Sequence, residues 1–490
     1  MLSRILLVAF AILLFSVNGT LAQSPSDVDM ATLRSYGYIG DGASHPLNSN
    51  PPFNGQSTAG WTLAQWQAVL PAAVAMTDEI DGVAIQSLIQ TATGPIAFHI
   101  GPGQPQFSRT ITVCNQTVVF FGSGGMFYKN PPVTGKPYVN SATNFNFLSR
   151  GVGIQHCSGA PGDSKIELHD IGLTLSPSQT SPTDASFTIN DLKANYDFFD
   201  NVQISGFNNC IHFVNPAGTR LRSVWCQNPD QAKTNNGTGL LYEGANSFIN
   251  HIQDAVMGGY QISYDFNSTP TTGQVGIEDL QVLNSACGGT ATCIRIRSQN
   301  ANYGPFNYSF TNMSVDATTY FINALSCNDV TVQGGNWLID PPSTAWTSGF
   351  NMIDISACSM FHMRDMWIGN TTAASPNSIL TAEATSKDVE FRDNYIETLN
   401  ITPIASFIQV ANGAKNVSEQ NTTWMSFFSP IPPPSNAVGN FSADPSNKIQ
   451  SQATGLPTLS SCGTGPTLKP GSTNAVGQII EGTKLEDGTF

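Results

Sequence analysis

From about residue 165 onward the chain repeats one short unit: a polar residue, often Asp or Asn, then an apolar residue, any residue, and a second apolar residue. The unit recurs as Asp170-Ile171-Gly172-Leu173, Asn201-Val202-Gln203-Ile204 and Ser223-Val224-Trp225-Cys226. It returns as Asp279-Leu280-Gln281-Val282, Asn312-Met313-Ser314-Val315, Asp329-Val330-Thr331-Val332, Asp365-Met366-Trp367-Ile368 and Asp393-Asn394-Tyr395-Ile396. Many of the steps are roughly 22 to 33 residues, the range of solenoid repeats. Asp329 is out of step and is expected on a different strand of the same coil. In a strand, positions two apart share a side. The two apolar residues of each unit therefore point inward and stack on those of the next coil, and the residue between them faces out. A coil of this length holds three short strands and three turns. The prediction is an all-β solenoid, a parallel β-helix. A β-sandwich with irregular hairpins is the competing reading; the constant direction and shape of the unit favour the solenoid.

Ahead of the repeat, Ile96-Ala97-Phe98-His99-Ile100, Ile111-Thr112-Val113 and Val118-Val119-Phe120-Phe121 read as strands broken by Gly and Pro. Residues 61–70 predict a short helix ended by Pro71. Residues 78–90 predict another, with Ile85, Leu88 and Ile89 on one apolar face. Asp78, Glu79 and Asp81 stand at its start, where carboxylates complement the helix dipole. An open solenoid end exposes a strand edge, so this helix is expected to cap it.

The order Gly40-Asp41-Gly42, then Asp78-Glu79-Ile80-Asp81-Gly82-Val83-Ala84-Ile85-Gln86, then a Gly-rich strand start resembles the beginning of the pectate-lyase-like right-handed β-helix superfamily. That group includes rhamnogalacturonase- and epimerase-like proteins and phage tailspikes. The resemblance covers residues 36–125 by motif and extends to about 425 by repeat. It departs from the common form in a long insertion between Gly42 and Asp78, a form associated with tailspike-like members. The resemblance implies a right-handed parallel β-helix with a short N-terminal capping helix and action on a polysaccharide. The motif is architectural and leaves the reaction open.

Only 11% of the 490 residues are charged and the net charge is −14. With no Lys/Arg cluster, nucleic acid is not an expected partner. Arg4, the apolar run Ile5 to Val17 and Thr20-Leu21-Ala22 read as a signal peptide over residues 1–22. No later segment is apolar for long enough to span a membrane, so the protein is expected to be secreted, periplasmic or on the cell surface. In such a compartment disulfides persist. Cys287 with Cys293, Cys210 with Cys226, and Cys327 with Cys358 offer pairs, and Cys462 is the candidate odd one among nine. Asn267-Ser268-Thr269 is one of several glycosylation sequons. The organisation expected is a loop and capping-helix region at 23–95, the β-helix at 96–427, and a Pro-rich linker at 428–490 leading into an incomplete Gly/Thr-rich module.

Two carboxylates a few ångströms apart carry glycoside hydrolysis; a lyase needs a base and a group that neutralises a uronate. Searching for such groups one coil apart gives His251 and Asp254 in one coil and Glu278 and Asp279 about one coil later. These four are the candidate catalytic residues. Asp254 and Asp279 also fit as ordinary polar leaders of the repeat. Arg295 and Arg297, two apart on a strand, are candidate substrate-binding residues. So are Trp367 and Tyr395, which fall at the outward position of their units and suit sugar stacking if exposed; Trp225 and Trp337 are further aromatic candidates. No paired-aspartate, Gly-His-Gly and Arg-x-Lys set of the galacturonase kind occurs. No metal or other cofactor is implied. The functional expectation is an exported protein that binds and cleaves a polysaccharide as a lyase or glycoside hydrolase. The alternative is a non-catalytic carbohydrate-binding or attachment protein, tailspike-like, for which a homotrimer is the implied assembly.

Overall fold

The structure, a computed structural model, describes residues 26–451 except 115, 125–141, 149–150, 158–163, 176–185, 193, 229–236, 272–273, 300–303, 340–350, 371–377, 399–407, 427–440 and 444–447. The expected signal peptide, Cys462, the linker and the C-terminal module lie outside the described residues.

The chain is a parallel β-helix in which each coil contributes to three parallel sheets. Phe198–Ser205 shows how one segment serves two of them. Phe198, Phe199 and Asp200 pair with Glu167, Leu168 and His169 below and with Arg220, Leu221 and Arg222 above, in the first sheet. After Asn201 the chain bends, and Val202 to Ser205 pair in the second sheet. The third sheet runs through Asn209–Val214, Thr238–Gly244 and Ile262–Ser268 into the later coils.

The polar leader of each repeat is the residue that turns the corner. Asp170, Asn201, Ser223, Asp254, Asn284, Asn312, Gly334, Asp365, Asp393 and Asn421 occupy successive rungs between the first and second sheets, and all have positive φ. The left-handed conformation costs most residues about 1–2 kcal/mol, and Gly, Asn and Asp tolerate it best. Amides bridge the rungs: Asn201 Nδ2 donates to Asp170 Oδ1 at 2.6 Å, and Asn421 Nδ2 to Asp393 Oδ1 at 2.7 Å. A second ladder lies between the third and first sheets, with Asp279, Asn307, Asp329, Asp388 and Asn416 in the same conformation. Asp329 is out of step because it belongs to this other corner. The two inward positions of every unit are buried, including Asn394, which donates to Met363 O and accepts from Met366 N.

Inward rows continue from coil to coil. On the first sheet Leu168, Phe199, Leu221, Ile252, Val282, Phe310, Val332, Met363 and Phe391 stack in register, all buried. Such a core grows by repetition, each coil burying the face of the one before.

Helix Ile80–Thr91 closes the N-terminal end. Ala84, Ile85, Leu88 and Ile89 pack on the main core, while Ile80 and Val83 join a smaller cluster with Leu47, Trp66 and Leu70. The helix is therefore buried on more than the single face its sequence suggests. Its carboxylates do not act mainly on the dipole. Asp78 accepts from Val74 N and Ala75 N, both at 2.8 Å, and from Arg109 Nε at 2.6 Å. Glu79 accepts from His45 N and Ser44 Oγ and caps no helix N–H. Asp81 accepts from Ile39 N at 2.7 Å, Gly40 N at 3.1 Å and Gln106 N at 3.1 Å. Each carboxylate thus ties a different loop to the cap, and the Gly-Asp-Gly turn is one of those loops.

Disulfides join Cys210 to Cys226, Cys287 to Cys293 and Cys327 to Cys358, with a fourth between Cys114 and Cys157. Cys327 and Cys358 stand opposite each other in register, so their bond staples adjacent coils.

Candidate functional site

Function on a solenoid resides in its outward rows, because the inward ones are filled. On the third sheet one such row runs Asn190, His212, Leu241, Asp265, Arg295, Asn323, Asp354, Thr381, Gln409. Arg295 and Arg297 project on the same side, as expected, and both grip one carboxylate. Arg295 donates to Asp265 through Nε at 3.0 Å and Nη2 at 2.6 Å; Arg297 does so at 3.1 and 2.8 Å. Asp265 is buried although it faces outward. Two guanidinium groups on one carboxylate leave the cluster with a net positive charge, and the bidentate geometry fixes both planes. Next to it, Asn267 donates to Glu243 Oε1 at 2.7 Å, and Glu243 meets His212 Nε2 at 3.2 Å. Asn267, the sequon residue, is buried in this network.

Two strands beyond Arg295, about 10 Å at the usual strand spacing, Asp354 is half-buried in the same row. Burial pushes its carboxyl up, opposed by a hydrogen bond from Asn351, and its Oδ1 has no hydrogen-bond partner. Glu383 lies one coil further, its N–H donating to Ile355 O at 2.8 Å. Its carboxyl is also pushed up, first by burial and then by the charge of Asp354. Strand spacing and rise put the two Cα atoms about 8 Å apart. The Tyr320 hydroxyl is pushed up by burial and by the charge of Asp354. Two outward carboxyls on neighbouring coils, both pushed up by burial, offer a proton donor and an acceptor on one face.

The residues singled out from the sequence fall elsewhere. Asp254 is a rung of the corner between the first and second sheets, and Asp279 a rung of the opposite corner. Asp254 pairs in register with position 284 and Asp279 with position 249, so five residues of strand, roughly 16 Å, separate the two corners. This exceeds the spacing of a hydrolytic carboxylate pair, at most about 9.5 Å, and corrects the pairing of Asp254 with Asp279 or its neighbour Glu278. Glu278 is raised by burial and by Asp279. His251 faces outward from the first sheet between Arg220 and Gln281. A shallow depression of about 110 Å³ at the first corner is lined by Gln203, Trp225 and Asp254 among others, with Asp254 its one carboxylate. It cannot supply both an acid and a base.

Trp367 and Tyr395 are direct register partners on the outer side of the second sheet, both half-buried. A Cβ at Gly369 would come within 2.6 Å of the Trp367 ring, so the ring lies across the strand where only glycine leaves room. Glu397 bonds to the Trp367 side chain, and burial pushes its carboxyl up. Trp337 is inward and fully buried, which removes it from the candidate platforms.

A different perturbed carboxyl, Asp197, is enclosed in the core: burial and neighbouring Asp191 push it well above the usual range, and Asp191 pairs with buried His156. Among the described residues no group of three or more His, Cys, Asp or Glu side chains is placed to hold a metal ion, and no helix is long and apolar enough to cross a membrane.

No protein-family model matches the chain, and no curated protein sequence matches it. Solved structures do resemble it. The pre-mature gene product 12 of bacteriophage phi29 superposes with a TM-score of 0.49 at 12% identity, over 86% of this chain and 55% of that one. The chain thus spans about half of the phage protein. PfbA, a surface adhesin of Streptococcus pneumoniae, gives 0.45 at 11% identity, over 82% of this chain and 92% of that one. The catalytic unit of a GH87 α-1,3-glucanase from Streptomyces thermodiastaticus gives 0.38 at 11% identity, over 69% and 66%. These structures include a glycoside hydrolase, an adhesin and a phage protein. Likeness at this level says nothing of what this chain binds or cuts.

Proposed function

We propose that the chain is an exported polysaccharide-binding β-helix protein that cleaves its ligand by hydrolysis on the outer face of the third sheet. The observation that carries this reading is the pair Asp354 and Glu383: outward, half-buried, on neighbouring coils, both with carboxyls pushed up. Asp354, with an unpartnered buried oxygen, is the proton donor to the glycosidic oxygen; Glu383 is the base or nucleophile. Arg295, in the same row, and Arg297, two residues along the strand on the same face, bind substrate. Both are engaged on Asp265, so neither is a free base, which favours hydrolysis over elimination. Four disulfides fit an oxidising compartment.

The test is to incubate the secreted protein with a panel of neutral and acidic polysaccharides. New reducing ends without the ultraviolet absorbance of an unsaturated sugar are expected, and Asp354→Asn or Glu383→Gln should abolish them while circular dichroism is unchanged. No product from any polymer that binds would refute cleavage. It would favour the attachment reading, for which the Trp367–Tyr395 platform is the specific support. Unsaturated products would refute hydrolysis.

A further inference from the structure

Exposed large apolar side chains are not scattered over this molecule. Among the described residues nine stand out, and seven of them lie on the edge between the third and first sheets: Tyr196, Phe248, Ile249, Val275, Phe306, Leu325 and Met360. They are 38% (Phe306) to 53% (Tyr196) exposed. They precede or occupy the rungs of the second corner ladder, and together follow it from the coil of residue 196 to that of residue 360. Only Val74 and Leu283 fall elsewhere.

The backbone makes the same edge unusual. Tyr196, Ile249 and Met360 are themselves rungs, at φ of 60°, 56° and 55°. The other rungs are Gly218, Asp279, Asn307, Asp329, Asp388 and Asn416, the residue types that tolerate this conformation. A β-branched side chain there is a genuine outlier. Two independent preferences, conformational and hydrophobic, are thus violated at the same exposed positions. Strain and exposed apolar surface that coincide mark a contact surface. The stripe is also continuous at its start: the Tyr196 ring lies against Gly218, where a Cβ would meet it at 2.5 Å.

We infer that this edge is the contact surface between copies of the chain, set side by side with their coil axes parallel. Two features select a second copy. The stripe is straight and follows the coil axis over six strand spacings, about 29 Å. A rotation axis parallel to it therefore brings each rung against the same rung of the next copy, and the apolar positions match without any sliding. The exposed apolar surface, on the order of 600 Å² from these fractions, approaches the ~800 Å² per partner of a stable interface. The rungs between these side chains include Asp279 and Asp329, so the same axis sets like charges opposite one another in a chain that carries −14.

The full-length secreted protein is examined by sedimentation velocity and light scattering over a concentration series. The expected result is a discrete species of two or three chain masses, favoured by added salt because screening removes the repulsion between acidic copies. The double variant Ile249→Asn, Met360→Asn should weaken association by about tenfold per substitution. Its thermal midpoint should be equal or higher, since asparagine suits both rungs. Leu283→Asn, exposed but off the edge, should leave association unchanged. A wild-type chain that stays monomeric at the highest concentration reached, or an oligomer that the double variant leaves intact, overturns the inference. Either result is independent of whether the protein cleaves a polysaccharide.

Discussion

Asp81 offers a sharp test of how the cap is held. Its carboxylate accepts backbone N–H groups from Ile39, Gly40 and Gln106, yet burial pushes its pKa up from 3.8 to about 6. The folded state then binds its proton more tightly than the unfolded state does. The stabilisation is complete below the unfolded value and is lost as pH rises through the folded one. A shift of about two units corresponds to about 3 kcal/mol across that window. Asp81→Asn keeps one acceptor oxygen and removes the titration. The variant should be less stable than wild type at pH 4, by about 1–3 kcal/mol for the lost acceptor. The gap should shrink by about 2–3 kcal/mol between pH 4 and pH 7. Urea midpoints at each pH measure it, and amide exchange at Ile39, Gly40 and Gln106 localises it to the cap. A gap that stays constant, or widens as pH rises, would refute the reasoning. It would mean that the three N–H donors outweigh burial and that the ionised form is the stabilising one.

Breaking the staple with Cys327→Ser and Cys358→Ser should cost about 3–4 kcal/mol for a loop of 31 residues, read as a lower urea midpoint. Gly237→Ala should destabilise by more than about 2 kcal/mol, because φ is +83° and the new Cβ would fall 1.6 Å from Asn208 O. Gly55→Ala, at φ +72° with open space around it, should cost only the conformational ~1 kcal/mol. Phe199→Ala, in the middle of the first-sheet stack, should cost about 3–5 kcal/mol in the same assay. If Asp354 is the proton donor, activity should fall as pH rises through its raised pKa; Asp354→Asn should abolish activity at all pH values rather than shift the profile.

The fold was legible because the solenoid writes its geometry into every coil. A corner needs a residue that tolerates positive φ, and the strand after it needs inward side chains two apart. That requirement recurs at each step, such as the 22 residues from Asn201 to Ser223 or the 31 from Asp170 to Asn201. Repetition of a local rule is what sequence patterns record best. Asp329 was readable as out of step because it obeys the rule at the other corner, whereas Asp279, read as a regular member of the series, stands at that other corner too. The cap was legible as a helix but not in its wiring. Asp78, Glu79 and Asp81 each reach a loop distant in the chain, and dipole reasoning, which is local, has no access to such partners.

The candidate site was not legible, and the corner ladders are the reason. They place aspartates at one-coil intervals, which is also what a search for paired catalytic carboxylates would select. Asp254 and Asp279 satisfied that search while serving as turns. A carboxylate on a rung is already explained by its backbone conformation. One off the rungs, on an outward strand position and withdrawn from water, has no such explanation. Asp265 meets that criterion and is neutralised by Arg295 and Arg297. Asp354 meets it with an oxygen left unpartnered, and Glu383 sits one coil away. Both follow apolar neighbours in Asn351-Met352-Ile353-Asp354 and Ile379-Leu380-Thr381-Ala382-Glu383, where no polar leader announces them. In a solenoid of this kind, carboxylates that break the repeat are therefore better candidates for chemistry than those that keep it.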